Sequence, residues 1–230
     1  MTARDGGIFV TGTDTGVGKT LIACALLHAL AASGRTVIGM KPVAAGREDG
    51  RFHDVTSLMA ASTVCAPESL INPYAFDPAI APHIAAAQAG IEIKSRKILA
   101  ALSALSAMAD MVVVEGAGGF MLPLGAHETG ADMAVALGLP VVLVVGMRLG
   151  CLNHALLTRA AIAASGLRCA GWVANCIDPD MPVLSENIAA LAARLDSPLL
   201  GTVPFGRGLS LSAAQVATFL SVRPLLGAKP

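Results

Sequence analysis

The turn Gly12-Thr13-Asp14-Thr15-Gly16-Val17-Gly18-Lys19-Thr20 is the stretch of this chain best equipped for chemistry. It follows a β-branched run at 8–11 and opens a helical pattern over 19–32. Its backbone N–H groups and the positive end of the helix dipole can therefore wrap phosphate oxygens. In that arrangement Lys19 reaches the β and γ phosphates of a nucleoside triphosphate and Thr20 can ligate magnesium. The spacing departs from the strict pattern: five residues separate Gly12 from Gly18, and Thr13 stands where the first Gly would be.

Three further residues could share that chemistry. Lys41 ends a strand pattern and is followed by Pro42, which disfavours helix and directs the ammonium to the phosphate side; a solvated strand-end lysine is the plain alternative. Asp54 starts a helix after the loop at 46–53, as either a cap or a metal ligand. Glu115 ends Met111-Val112-Val113-Val114, where an unpaired acid would be costly. With Thr20 the two acids make an oxygen-only set of the kind magnesium prefers. Gly116 to Gly119 leave the backbone bare for a ligand, or form an ordinary turn. Gly150-Cys151-Leu152-Asn153 opens a helix whose N–H groups could hold a carboxylate, or simply begins one. None of the five histidines has ligand-like spacing, and His28 and His154 fall in helical patterns.

The elements that must position these residues read as alternating strand and helix. Short β-branched runs recur at 8–11, 36–40, 111–114, 141–145, 169–174 and 199–203, and several of them are apolar without alternation, the mark of parallel strands covered on both faces. Helical patterns lie at 19–32, 54–62, 94–107, 130–137, 153–164, 183–195 and 211–221. The expectation is one doubly wound α/β domain over 1–230, a mainly parallel sheet flanked by helices, with ligands beyond the carboxyl ends of the strands. The proline-rich stretch 63–93 is expected to be an excursion over the active face.

Sixteen basic residues balance sixteen acidic ones without a local cluster, which argues against nucleic acid or an anionic membrane as partner. Five cysteines with no C-x-x-C pair indicate neither a disulfide framework nor a zinc site. The longest apolar run, Met133 to Met147, is broken by Gly138 and Pro140 and is short of the roughly 20 residues of a membrane span. With no signal pattern at the N-terminus, a soluble, cytoplasmic protein is expected.

Taken together, VTGTDTGVGKT (10–20), KPVAAG (41–46), Asn72-Pro73-Tyr74, APHIAAAQ (81–88), VEGAGG (114–119), VVLVVGMRLGCLNHALLT (141–158), AGWVANC (170–176) and LLGTVPF (199–205) resemble the dethiobiotin synthetase family, in that family's order. The resemblance implies a P-loop, three-layer fold and an ATP- and magnesium-dependent cyclo-ligase acting on 7,8-diaminopelargonate and CO₂ or bicarbonate, in a cytoplasmic homodimer. It implies Lys41 and Lys19 as catalytic residues and Thr20, Asp54 and Glu115 as magnesium ligands. It further implies nucleotide contacts from Gly16, Val17, Gly18, Lys19, Thr20, Leu21, Asp54, Glu115, Gly116, Ala117 and Gly118. Asn175, Cys176, Pro204, Phe205 and Gly206 would serve the adenine. The substrate would meet Thr13, Lys41 and Ala45, with Cys151, Leu152 and Asn153 holding its tail carboxylate from the neighbouring subunit.

This chain departs from the family at three places: Ala45 where a Ser or Thr donor is common, Gly16 where some members have Glu, and the neighbourhood of Asn187 where some have a tyrosine. Partition and division-site ATPases share the turn but carry a lysine where this chain has Asp14. Relatives that amidate carboxylates add a glutaminase domain for which the chain is too short. A non-catalytic nucleotide-binding module is the remaining alternative, and the combination of Lys19, Lys41, Asp54 and Glu115 disfavours it.

Overall fold

The computed structural model describes residues 6–206 and 211–226. Six parallel strands form the central sheet: β1 (Gly7–Gly12), β2 (Val37–Met40), β5 (Met111–Gly119), β6 (Val141–Met147), β7 (Cys169–Cys176) and β8 (Leu199–Val203). Their order is β2-β5-β1-β6-β7-β8, so the chain winds outward from β1 in both directions. Two short strands, β3 (Val43–Ala45) and β4 (Tyr74–Phe76), pair in parallel as a separate small sheet. The sequence gives no sign of them, since three residues are too few to display a period.

Successive side chains of the buried strands go to opposite faces, and both faces are apolar. Ile8, Val10 and Val113 pack with α1 (Lys19–Ala32), α2 (His53–Ala61) and α9 (Ala213–Ala217). Phe9, Val112 and Val114 pack with α5 (Ser95–Ser106) and α6 (Gly130–Leu137) on the other face. Leu143, Val145 and Trp172 pack with α7 (Cys151–Ala164) and α8 (Leu184–Ala192). The result is a doubly wound, three-layer α/β fold. Helix α1 is apolar nearly all round because it is covered by the sheet and by α2 and α9. Complete burial of Ile22, Leu26, Leu27 and Leu30 contributes about 1.5–3 kcal/mol per side chain and fixes the helix that begins at Lys19.

Several boundaries differ from the sequence reading. The helix expected over 183–195 starts at Leu184, because Val183 lies in the left-handed region (φ 47°), and it ends at Ala192. The helix expected over 211–221 is Ala213–Ala217, started by a reciprocal Ser212–Gln215 capping box. Residues 63–93 hold α3 (Glu68–Ile71), β4 and α4 (Pro82–Gln88). Among the described residues, no helix is long and apolar enough to cross a membrane.

Candidate active site

The register of the sheet assembles the charged residues. Met40 of β2 pairs with Val114 of β5, so the next residues fall side by side: Lys41 just past the end of β2, and Glu115 inside β5, which runs on to Gly119 and does not end at Glu115 as its sequence pattern implies. Lys41 Nζ donates to Glu115 Oε1 at 2.7 Å and also lies 2.7 Å from Asp54 Oδ2. Thr20 Oγ1 donates to the same Glu115 oxygen at 2.8 Å. Lys41 and Glu115 are only 4% and 1% exposed, so removing Lys41 would leave Glu115 as a buried charge without its ion-pair partner, whereas removing Glu115 would leave Lys41 paired with Asp54 alone.

Asp54 is not the cap of its helix. That position belongs to Phe52, and the Asp54 carboxylate instead faces Lys41. The backbone around Lys41 is held as well: its N–H donates to Ile71 O at 2.9 Å, and its carbonyl accepts from Asn72 Nδ2 at 2.7 Å. Asn72 has no assigned role in the sequence pattern, yet it is 7% exposed and holds the backbone at Lys41; an asparagine directly before a proline is the only sequence signal of it.

The phosphate turn is shaped by its glycines. Gly18 has φ 87°, and a Cβ there would lie 2.2 Å from Asn175 Nδ2. A Cβ on Gly12 would lie 2.6 Å from Val17 Cγ2, which explains the glycine before the strand turns despite the longer spacing. Lys19 is 7% exposed and its Nζ donates to Asp14 O at 2.8 Å. Burial, assisted by the nearby Lys41 ammonium, pulls its pKa down to about 8. Burial also opposes the charge on Lys41, but Glu115 and Asp54 outweigh it and raise the pKa. At Asp54 burial pushes the carboxyl up, yet the Lys41 ammonium prevails and leaves it below the usual carboxylate value.

A cavity of about 720 Å³ opens over these groups. Thr15, Gly16, Gly18, Lys19 and Thr20 form one side, and Lys41, Asp54, Glu115, Ala117 and Gly118 its floor. Val43, Ala45, Leu122 and Ala79 to Pro82 supply an apolar side. Asn175 is buried at the carboxyl end of β7, and its Nδ2 donates to Val17 O at 2.9 Å, leaving Oδ1 as an acceptor. Cys176, Pro204, Phe205 and Gly206 lie at the ends of β7 and β8, outside the cavity lining, as do Thr13, Val17, Leu21 and Gly116. Cys151, Leu152 and Asn153 form the first turn of α7 and also lie outside it; Asn153 is exposed and does not cap the helix, whose cap is Gly150. Asn187 donates to the carbonyls of Pro182 and Val183 at the start of α8.

The donor set fits magnesium. Thr20, Asp54 and Glu115 offer only hard oxygens, and Glu115 Oε2 is buried with no hydrogen-bond partner. Among the described residues no three His, Cys, Asp or Glu side chains cluster, and a magnesium ion held by few protein oxygens would keep several waters and phosphate oxygens.

A family model described as an AAA domain matches residues 6–212. The division protein MinD of Aquifex aeolicus superposes with a TM-score of 0.59 over 98% of each chain at 18% identity. MinD of Pyrococcus horikoshii in complex with Mg-ADP gives 0.56 over 92% of this chain and 86% of that one, at 18% identity; these likenesses concern the fold. The ATP-dependent dethiobiotin synthetase of Nitrosospira multiformis is 60% identical over 86% of this chain and 88% of its own. That of Aromatoleum aromaticum is 54% identical over 92% and 95%. The chain belongs to the ATP-dependent dethiobiotin synthetase family.

Proposed function

We propose that this protein is a dethiobiotin synthase, an ATP-dependent cyclo-ligase that converts 7,8-diaminopelargonate and CO₂ into dethiobiotin, with ADP and phosphate as the other products. The observation that carries the reading is Lys41: a buried ammonium at the end of β2, facing the same cavity as the phosphate turn. A protein that only bound nucleotide would have no use for a second buried lysine at the point of transfer.

One amine of the substrate adds to CO₂, forming a C–N bond and losing a proton, to give a carbamate. A carbamate oxygen attacks the γ-phosphorus, the bond to the β–γ bridging oxygen breaks, and ADP leaves. The second amine then attacks the carbonyl carbon of the carbamic-phosphoric anhydride. Phosphate departs with the carbamate oxygen, a proton is lost, and the ureido ring is closed. The difficulty is holding two anions in line, and it is met by fixed positive charge and alignment. Lys41 neutralises the carbamate and γ-phosphate, and Lys19 with the backbone of Gly16 to Leu21 holds the β and γ phosphates. Thr20, Asp54 and Glu115 would hold magnesium, which supplies charge neutralisation on the phosphates.

Glu115 to Gly118 line the nucleotide site. Asn175 offers Oδ1 to the adenine amino group, with Cys176, Pro204, Phe205 and Gly206 around the base. Thr13 and Ala45 border the substrate, whose aliphatic chain suits the apolar side of the cavity. The first turn of α7 serves the tail carboxylate of a substrate in the neighbouring subunit of a homodimer. The test is a product assay with diaminopelargonate, bicarbonate and MgATP. One dethiobiotin per phosphate, both dependent on the diamine, supports the ligase; phosphate released without the diamine, and no dethiobiotin, would overturn it in favour of an ATPase switch.

A further inference from the structure

The two halves of the phosphate turn are held by different means. The inner half is fixed by burial: Val17 is 1% exposed and its carbonyl accepts from Asn175. The outer arm, residues 13–16, is half-exposed or exposed, and around Gly16 (φ 75°) there is open space. The Thr13 N–H donates to Val144 O at 3.0 Å. Beyond Asp14 the arm has no comparable anchor in the sheet among the described residues. Among the described residues, one side chain from outside the turn hydrogen-bonds to this outer arm: Arg148 Nη2 donates to Asp14 Oδ2 at 2.6 Å.

Asp14 carries two further bonds. Its Oδ1 accepts from the Thr15 N–H at 2.7 Å, and its main-chain carbonyl accepts from Lys19 Nζ at 2.8 Å. The direction of the outer arm and the position of the Lys19 ammonium therefore meet at one residue. Arg148 is itself anchored, since it directly follows the buried end of β6 and its carbonyl accepts from the Cys151 N–H at 3.0 Å.

We infer that Arg148 is a positioning residue for the triphosphate: through Asp14 it holds the outer arm in its cradling shape and keeps Lys19 aligned with the phosphates. The inference rests on the reading of this cavity as a nucleotide site and adds to it a residue that touches neither phosphate nor substrate. Arm and ammonium then need less ordering when nucleotide arrives, which appears as affinity. The two side chains are 44% and 47% exposed, so the effect is modest and weakened by salt.

The experiment is calorimetric titration of the full chain with MgADP at low and high salt, for the wild type, Arg148→Ala, Arg148→Lys, Asp14→Asn and the Asp14→Asn/Arg148→Ala double variant. Arg148→Ala and Asp14→Asn should each weaken binding about two- to five-fold at low salt, and less at high salt. The double variant should be no worse than either single one, because both remove the same bond. Arg148→Lys should recover part of the loss, and in turnover the loss should fall on KM for ATP rather than on kcat. Unchanged affinity in Arg148→Ala at low salt, multiplying effects in the double variant, or a loss that tracks a lowered thermal midpoint in both Arg148 variants would each overturn the inference. Absence of diamine-dependent dethiobiotin would instead sink the proposed ligase and leave these binding results standing.

Discussion

The two sides of the cavity are built differently. The charged side stands on adjacent strands of the main sheet, with Lys41 and Glu115 in register and almost fully buried. The apolar side stands on the two three-residue strands β3 and β4 and the short helix α4, and Ala79 and Ile80 are exposed. A group that must meet a transferring phosphoryl in line has to be held before the substrate arrives. An aliphatic chain tolerates a looser surface, because burial of apolar area is non-directional. Substitutions on the first side should therefore damage the chemistry, and those on the second should adjust affinity.

The largest effect is expected from Lys41→Ala. It should lower kcat by on the order of 10²–10³-fold while MgATP binding is retained, checked by product formation alongside calorimetry. The same variant leaves Glu115 buried beside Thr20 without its cation, and should lower stability by about 3 kcal/mol in chemical denaturation. Near-normal turnover would remove Lys41 from the transfer step and end the contrast between the two sides.

Mixing inactive Lys41→Ala and Asn153→Ala chains should next restore partial activity through hybrid dimers, since one active site in each hybrid would then keep both functional groups. Failure to complement, with subunit exchange verified, would confine the site to one chain.

A smaller effect follows from pH. Lys19 has a pKa lowered to about 8, chiefly by burial. Its ammonium is present below that value and is lost as pH rises through it. Bound phosphate favours the charged form, so nucleotide affinity should hold between pH 6 and 8 and fall above, approaching tenfold per pH unit. Affinity that stays level to pH 9.5 would show that the turn does not rely on the Lys19 charge.

The apolar side should respond least. Ala45→Ser adds a hydroxyl at the end of β3 and should lower KM for the diamine about two- to tenfold, the worth of one hydrogen bond of about 0.5–1.5 kcal/mol, with kcat unchanged. A change in kcat instead would mean that this side also aligns the reacting groups.

The sequence was most readable where local pattern carried the information. Unalternating runs such as Val141 to Val145 marked buried strands, and the glycine-rich turn between a strand and a helix marked the phosphate site. Register was not readable. That Lys41 and Glu115 would meet depends on Met40 pairing with Val114, a relation between segments 74 residues apart that no local pattern encodes. Arg148 escaped for the same reason, its partner Asp14 being 134 residues away. Asp54 could be read as a cap or as a ligand, and the position of Phe52 at the helix start removes the first reading. The strands β3 and β4 stayed hidden because their three residues each could not show alternation.

The central claim, that a carbamate oxygen takes the γ-phosphoryl on the charged side of the cavity, can be tested by following oxygen. Freshly prepared ¹⁸O-labelled CO₂ is supplied with the diamine and unlabelled MgATP, and the released phosphate is analysed by mass spectrometry. Phosphate carrying one ¹⁸O, formed in step with dethiobiotin by the wild type and lost in Lys41→Ala, is the predicted result. Unlabelled phosphate accompanying dethiobiotin would contradict it, because ring closure would then proceed without a bond between the carbamate oxygen and phosphorus.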